Sequence, residues 1–206
     1  KIVGTGILTF TTGAFAVVLN VKRNLVKEAS GTLRFVNSSS SSSSVRVNVD
    51  GDVEISAGTV DINLTSGGSG TLDMKRHFTV ATGASYQASG STNATTIFSG
   101  GNVQNVSGGG TMDVHFMEVS KTAGSVNLLR DLQARISLKM ISGNIVTNSN
   151  LFELGLSTSQ TGTLTHTSGF VRGNMKRWFN GHNASGSDSR DLFPFGYNDG
   201  GIKKRF

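Results

Sequence analysis

The sequence predicts an all-β fold: a parallel β-helix (β-solenoid) of about six coils with a C-terminal capping segment. Three observations carry this. Short stretches recur every 25–28 residues, apolar and polar residues alternate within them, and 27 glycines but a single proline punctuate 206 residues. Capping boxes are almost absent and β-branched residues are common, so helices are not expected.

The repeats come first. Leu19–Leu25, Val47–Val53 and Leu72–Phe78 align without gaps, and Val126–Leu132 keeps the pattern. With Val21, Val49, Met74 and Leu128 as markers the spacings are 28, 25 and 54. The last is two periods of 27, with a weaker copy expected at Thr96–Gly100. After the first three markers, Gly31-Thr32-Leu33, Gly58-Thr59-Val60 and Gly83-Ala84-Ser85 each open a further strand.

Inside a copy the period is two. Val45, Val47, Val49, Gly51, Val53, Ile55 and Ala57 alternate with Arg46, Asn48, Asp50, Asp52, Glu54 and Ser56. One face of such a strand is buried. Gly51 marks a bend in a run too long to stay flat. The competing fold is an antiparallel sandwich, which would place Asn-Gly or Asp-Gly at strand junctions. Asp50-Gly51 falls inside the alternating run instead, which favours the solenoid.

Two positions after the markers stand Arg23, Gly51, Arg76, Gly100 and Arg130. Glycine between arginines keeps like charges from stacking on adjacent coils. The same register sets Arg23 and Arg76 one coil either side of Asp50 and Asp52, so cross-coil salt bridges are expected there.

The seven serines Ser38–Ser44 are too monotonous to pack and are expected as a loop extruded from a corner; Ser66–Gly70 and Gly108–Gly110 are similar insertions. From Gly169 the pattern changes. The chain therefore divides into solenoid coils over 1–168 and a closing segment over 169–206, leading toward a further domain. That segment holds the one tryptophan and the one proline. Arg177, Trp178, Pro194 and Gly196 are expected to cover the open apolar end of the rod.

Composition removes several functions. With no cysteine, disulfides and thiolate metal sites are excluded. The longest apolar stretch, Ala14–Leu19, is far short of the roughly 18 residues of a membrane helix. Of the net charge of +6, residues 1–171 carry +2 and residues 172–206 carry +4. Basicity is therefore terminal, and no nucleic-acid motif accompanies it. Asp50, Asp52 and Glu54 could suggest glycosidic cleavage, but an outward row beside arginines reads as a solvated face. His77, His115, His166 and His182 lack ligand spacing, and no calcium-loop motif occurs. Thr163, Thr165 and Thr167 make one alternating row, an ordinary strand surface. No catalytic, cofactor or metal residue is expected, and the chain is not read as an enzyme.

One further likeness rests on an ordered set of motifs. These are Val47-x-Val49-x-Gly51-Asp52-Val53-x-Ile55-x-x-Gly58-Thr59-Val60, Thr96–Gly100, Val103–Gly108, Phe116–Val119 and Leu138–Ile145, closed by Gly169–Arg177 and Phe193–Gly196. Together they resemble the parallel β-helix segments of large cell-surface and secreted proteins of the Bacteroidota, exported by type IX secretion. The resemblance implies an extracellular or cell-surface location and a structural or adhesive role. Its implied partners are other domains of the same protein, neighbouring surface proteins or glycans. It also implies that the chain, which starts at Lys1, is a piece of something longer. Arg23 and Arg76 stand where such copies tend to carry glycine. The alternative is a carbohydrate-binding or polysaccharide-cleaving β-helix.

Overall fold

The computed structural model describes residues 1–65, 67–89, 93–178 and 194, together with the backbone of two short strands, Tyr197–Asp199 and Ile202–Lys204. The described chain is all-β, and among these residues no helix is long and apolar enough to cross a membrane. It winds as a succession of coils, three short strands per coil over the first five, with equivalent strands of successive coils hydrogen-bonded in parallel.

Face A stacks β2 (Ala16–Val21), β5 (Ser44–Val49), β8 (Ser69–Met74), β11 (Ala94–Gly100), the start of β14 (Val114–Leu128), the start of β15 (Leu132–Leu154) and β16 (Thr163–His166). Face B stacks β3 (Leu25–Lys27), β6 (Val53–Ile55), β9 (Phe78–Val80) and β12 (Gln104–Ser107), then the later parts of β14 and β15, then β17 (Val171–Arg177). Face C holds β1 (Ile7–Thr11), β4 (Thr32–Val36), β7 (Thr59–Asp61), β10 (Ser85–Gln87) and β13 (Thr111–Met112). The remaining pair, β18 (Tyr197–Asp199) and β19 (Ile202–Lys204), is antiparallel. Seven strands stack on face A, one coil more than the sequence suggested.

Period-two alternation becomes inward ladders. Leu19, Val47, Leu72, Thr96, Met117, Leu138 and Leu164 form one across seven coils; Val21, Val49, Met74, Phe98, Val119, Met140 and His166 form the next. From Val47 to Leu138 the first ladder is almost wholly buried, and each large apolar side chain in it contributes about 1.5–3 kcal/mol. Thr96 is the polar member. Its hydroxyl meets the buried Tyr86 hydroxyl at 2.7 Å, and Phe78 packs edge-on to the Tyr86 ring.

The second ladder corrects the repeat alignment. From Val21 through Val49 and Met74 to Phe98 its steps stay close to the expected period. The next two, Phe98 to Val119 and Val119 to Met140, are clearly shorter, and the step to His166 lengthens again. Leu128 is not among the members; it belongs to the face B ladder Leu25, Val53, Phe78, Val106, Leu128. Because the fifth coil contracts, Val119 comes only 45 residues after Met74, and a strand of the wrong face fell two nominal periods from Met74. Lys121 therefore takes the position assigned to Arg130, pairing in register with Gly100.

Other corner expectations change as well. Ser38–Ser44 is a loop with exposed Ser39, Ser41 and Ser42, but its ends are tied down: Ser38 and Ser43 are buried, the Ser43 hydroxyl donates to the Gly13 carbonyl, and Ser44 already belongs to β5. Short hydroxyl side chains satisfy the corner's own backbone, Ser38 Oγ accepting from Ser40 N and Ser40 Oγ from Ser42 N. The parallel ladder also continues past residue 168, because β17 pairs with β15 as far as Arg177. Glycine is required where coils approach closest. At Gly58, φ is +69° and a Cβ would collide with the Gly31 and Ala29 carbonyls. On the first coil, β1 and β2 are paired on one side only, which leaves Ile7, Phe15 and Val18 exposed.

Candidate functional site

The corner between faces C and A varies most in length, and that variation builds a concave feature with clustered polar chemistry. In the second coil it runs from Val36 to Ser44, in the third from Asp61 to Ser69, and in the fourth from Gln87 to Ala94. In the fifth it shrinks to Asp113, and in the sixth β15 runs through without a break. A long loop, 155–162, returns in the seventh. Two contracted coils between longer corners leave a groove of about 560 Å³. Its walls are Ala88 and Ser89 on one side and Leu156 with Gln160–Thr163 on the other, and its floor is Asp113, His115, Arg135 and Ile136.

Local backbone geometry aims the floor. Val114 pairs with Ala134 and Phe116 with Ser137, so His115 alone faces both Arg135 and Ile136. One residue against two is a β-bulge, which bends the strand and redirects a side chain. Arg135 Nη1 donates to both Asp113 carboxylate oxygens, at 2.9 and 2.8 Å, and His115 Nε2 lies 3.4 Å from Asp113 Oδ2. Burial would raise the Asp113 pKa, but hydrogen bonds and charge from His115 and Arg135 outweigh it and hold the carboxyl below its ordinary value. Asp113 is therefore an anchored carboxylate, unsuited to donate a proton.

The walls are held independently. Ser89 is pinned by the buried Asp61, which accepts its hydroxyl at 2.9 Å, while Gln87 donates to the same hydroxyl. Across the groove, the 155–162 loop closes on itself through Leu156 N to the Gln160 carbonyl at 2.7 Å, and Gln133 ties it down by donating to the Gly155 carbonyl at 2.9 Å.

Neither a family model, nor a curated protein, nor a solved structure matches the chain.

The residues singled out from sequence lie elsewhere, mostly at the corner between faces A and B. Asp50 binds Lys75 at 2.6 Å and Lys22 at 3.4 Å. The expected partners Arg23 and Arg76 make no salt bridge among the described residues. The coil register was right and the side chain was off by one, since Lys22, Asp50 and Lys75 share one position in successive coils while Arg23 and Arg76 share that of Gly51. The Lys75 hydrogen bond leads the lowering of the Asp50 pKa. Arg23 and Arg76 serve through their carbonyls, which accept from Gly51 N and from Gln104 Nε2. Asp52 accepts from His77 N.

Arg130 sits at the corner between faces B and C, where its Nη1 donates to the Gly108 and Gly110 carbonyls at 2.9 and 2.6 Å. Near the C-terminal end, Arg177 is buried, and Trp178 donates to Glu153 while Lys176 lies 3.9 Å over its ring. The Pro194 carbonyl accepts from Val171 N at 2.6 Å; Gly196 lies outside the described residues. Among the described residues no group of three His, Asp or Glu is placed to hold a metal.

Sequence reasoning passed over Asp113 and Arg135 and took His115 for a scattered histidine. The signal was Asp113-x-His115 with Arg135 following one contracted coil further along the chain.

Proposed function

We propose that the chain is a structural or adhesive module of a large extracellular bacterial surface protein, of the parallel β-helix kind seen in Bacteroidota proteins exported by type IX secretion, with no catalysis of its own. The observation that supports this is where its charged side chains go. Lys22–Asp50–Lys75, Arg46–Asp73, Glu118–Lys139, Asp113–Arg135 and Glu153–Lys176 each join one coil to the next. Singly, exposed pairs are worth about 0–1 kcal/mol. Repeated along seven coils they hold the stacking register of a rod. The partners of such a rod are the neighbouring domains of its own protein and other surface proteins.

The test is location and inertness together. Antibodies to this segment should label intact cells of the source organism, and surface proteolysis should remove the label. The purified module should release no new reducing ends from a polysaccharide panel. Labelling only after lysis, or steady product release, would count against the proposal.

The groove favours a second reading, the carbohydrate-binding half of the alternative. Polysaccharide cleavage by paired carboxylates draws no support from it, because its lining offers the single carboxylate Asp113.

A further inference from the structure

We infer that the groove over the fifth and sixth coils binds a saccharide carrying an oxyanion, a carboxylated or sulfated sugar unit, with Arg135 as its anchor. This deepens the adhesive reading by giving the module a ligand class, and it rests on that reading.

Arg135 contacts Asp113 through Nη1 alone, and its Nε and Nη2 hold no hydrogen bond among the described residues. A guanidinium fixed at one corner presents its remaining edge already oriented, and that edge matches the two oxygens of a carboxylate or sulfate. The bulge at Arg135–Ile136 is the device that turns it into the groove. His115, 3.4 Å from the same Nη1, lies beside it on the floor.

The rest of the lining suits a sugar ring. The Gln160 side-chain amide and the Thr161 and Thr163 hydroxyls have no hydrogen bonds of their own among the described residues, so they can exchange water for ligand hydroxyls. Ala88, Ile136 and Leu156 supply apolar surface for the ring's C–H face. About 560 Å³ falls within the roughly 300–1,000 Å³ of small-ligand sites. An acidic peptide would share the anion but would leave the polar groups of the 155–162 loop without the ring hydroxyls that suit them.

The experiment is titration calorimetry of the whole chain at physiological salt. Its probes are tetrasaccharides of hyaluronan and polygalacturonate (carboxylated), chondroitin sulfate (carboxylated and sulfated), cellotetraose (neutral) and a tetraglutamate peptide. Saturable binding is expected for at least one anionic sugar, at least tenfold tighter than for cellotetraose or the peptide, and the arms show which oxyanion is preferred. Arg135→Gln should weaken it at least tenfold, and Arg135→Lys should recover only part. Gln160→Ala with Thr163→Val leaves the Asp113–Arg135 pair intact and should weaken binding several-fold at an unchanged melting temperature.

Absence of binding to all three anionic sugars, equal binding of cellotetraose, equal binding of the peptide, or indifference to Arg135→Gln would each overturn the inference. None of these outcomes bears on whether the module is a surface rod, which the cell-labelling experiment decides separately.

Discussion

The Asp52 carboxylate accepts the backbone N–H of His77, one coil on, at 3.1 Å. It is one rung of a side-chain ladder. Asn24 Oδ1 accepts from Asp52 N at 3.0 Å, and His77 Nδ1 accepts from Asn105 N at 3.1 Å. Where the chain turns between faces A and B, the backbone N–H leaves the sheet ladder, and a side chain from the preceding coil takes it over. Three different residue types do one job, because each offers an acceptor three bonds from its Cα.

Asp52→Ala should therefore cost about 1 kcal/mol, the net worth of one hydrogen bond, whereas Asp52→Asn keeps an acceptor and should be nearly silent. Urea unfolding with an unchanged m-value checks the pair. Amide exchange at His77 should quicken in the alanine variant alone. Equal losses in the two would mean that the charge of Asp52, not its acceptor, matters.

Beside this ladder, Gly51 is buried and its φ is ordinary, so space rather than backbone conformation demands it. A Cβ there would sit 2.6 Å from the Arg23 carbonyl carbon and against Asn24 Oδ1. Gly51→Ala should lose about 1–3 kcal/mol by overpacking. The same change at Gly83, where nothing lies within 4 Å of the added carbon, is strained only by its φ of +85°. Thermal midpoints of the two variants separate crowding from strain.

Tyr86 and Thr96 make a second test, in the core. Thr96→Val strips the buried Tyr86 hydroxyl of its partner and should cost about 1–3 kcal/mol. Tyr86→Phe should cost no more than that, and the double variant should recover much of the loss. A double-mutant cycle read by denaturant midpoints should give a coupling above about 0.5 kcal/mol. Additive losses would mean that the two hydroxyls do not depend on each other.

The rod was legible in the sequence and the groove was not, for one physical reason. Alternation at Val45–Val49 and Val53–Ile55 reports burial directly, so the inward faces could be read residue by residue. It does not report which face a strand belongs to. Val126–Leu128 on face B alternates as Val47–Val49 on face A does, and with the fifth coil contracted the alignment slid onto it. The groove arises from that same contraction: it exists because Asp113 alone replaces the longer corner of the earlier coils, and a shortened corner marks itself only through the spacing of Asp113, His115 and Arg135. The off-by-one at Asp50 has a related origin. Lys22-Arg23 and Lys75-Arg76 are both basic pairs, and only the register tells which member faces the carboxylate.

Lys121 gives the clearest pH signature. Its side chain turns into the corner beneath Gly143, where the ammonium donates to the Ser99 carbonyl at 2.9 Å and to Gln104 Oε1 at 2.6 Å. Burial pushes its pKa from an ordinary 10.5 down to about 8. Between those two values the unfolded chain holds a proton that the folded chain has released, so stability rises with pH across that window. Below about pH 8 both states are protonated and the cost of burying the charge is constant. Lys27, also lowered by burial, adds to the slope. Tyr86 opposes it from about pH 10, because its buried hydroxyl resists ionisation in the folded state while the unfolded phenol ionises. The window to measure is thus about pH 7.5 to 9.5, where denaturant midpoints of the wild type should climb. In Lys121→Met most of that climb should vanish, leaving the share due to Lys27. A wild-type profile that is flat or falling there, or a slope untouched in the variant, would mean that the Lys121 ammonium stays charged in the folded rod.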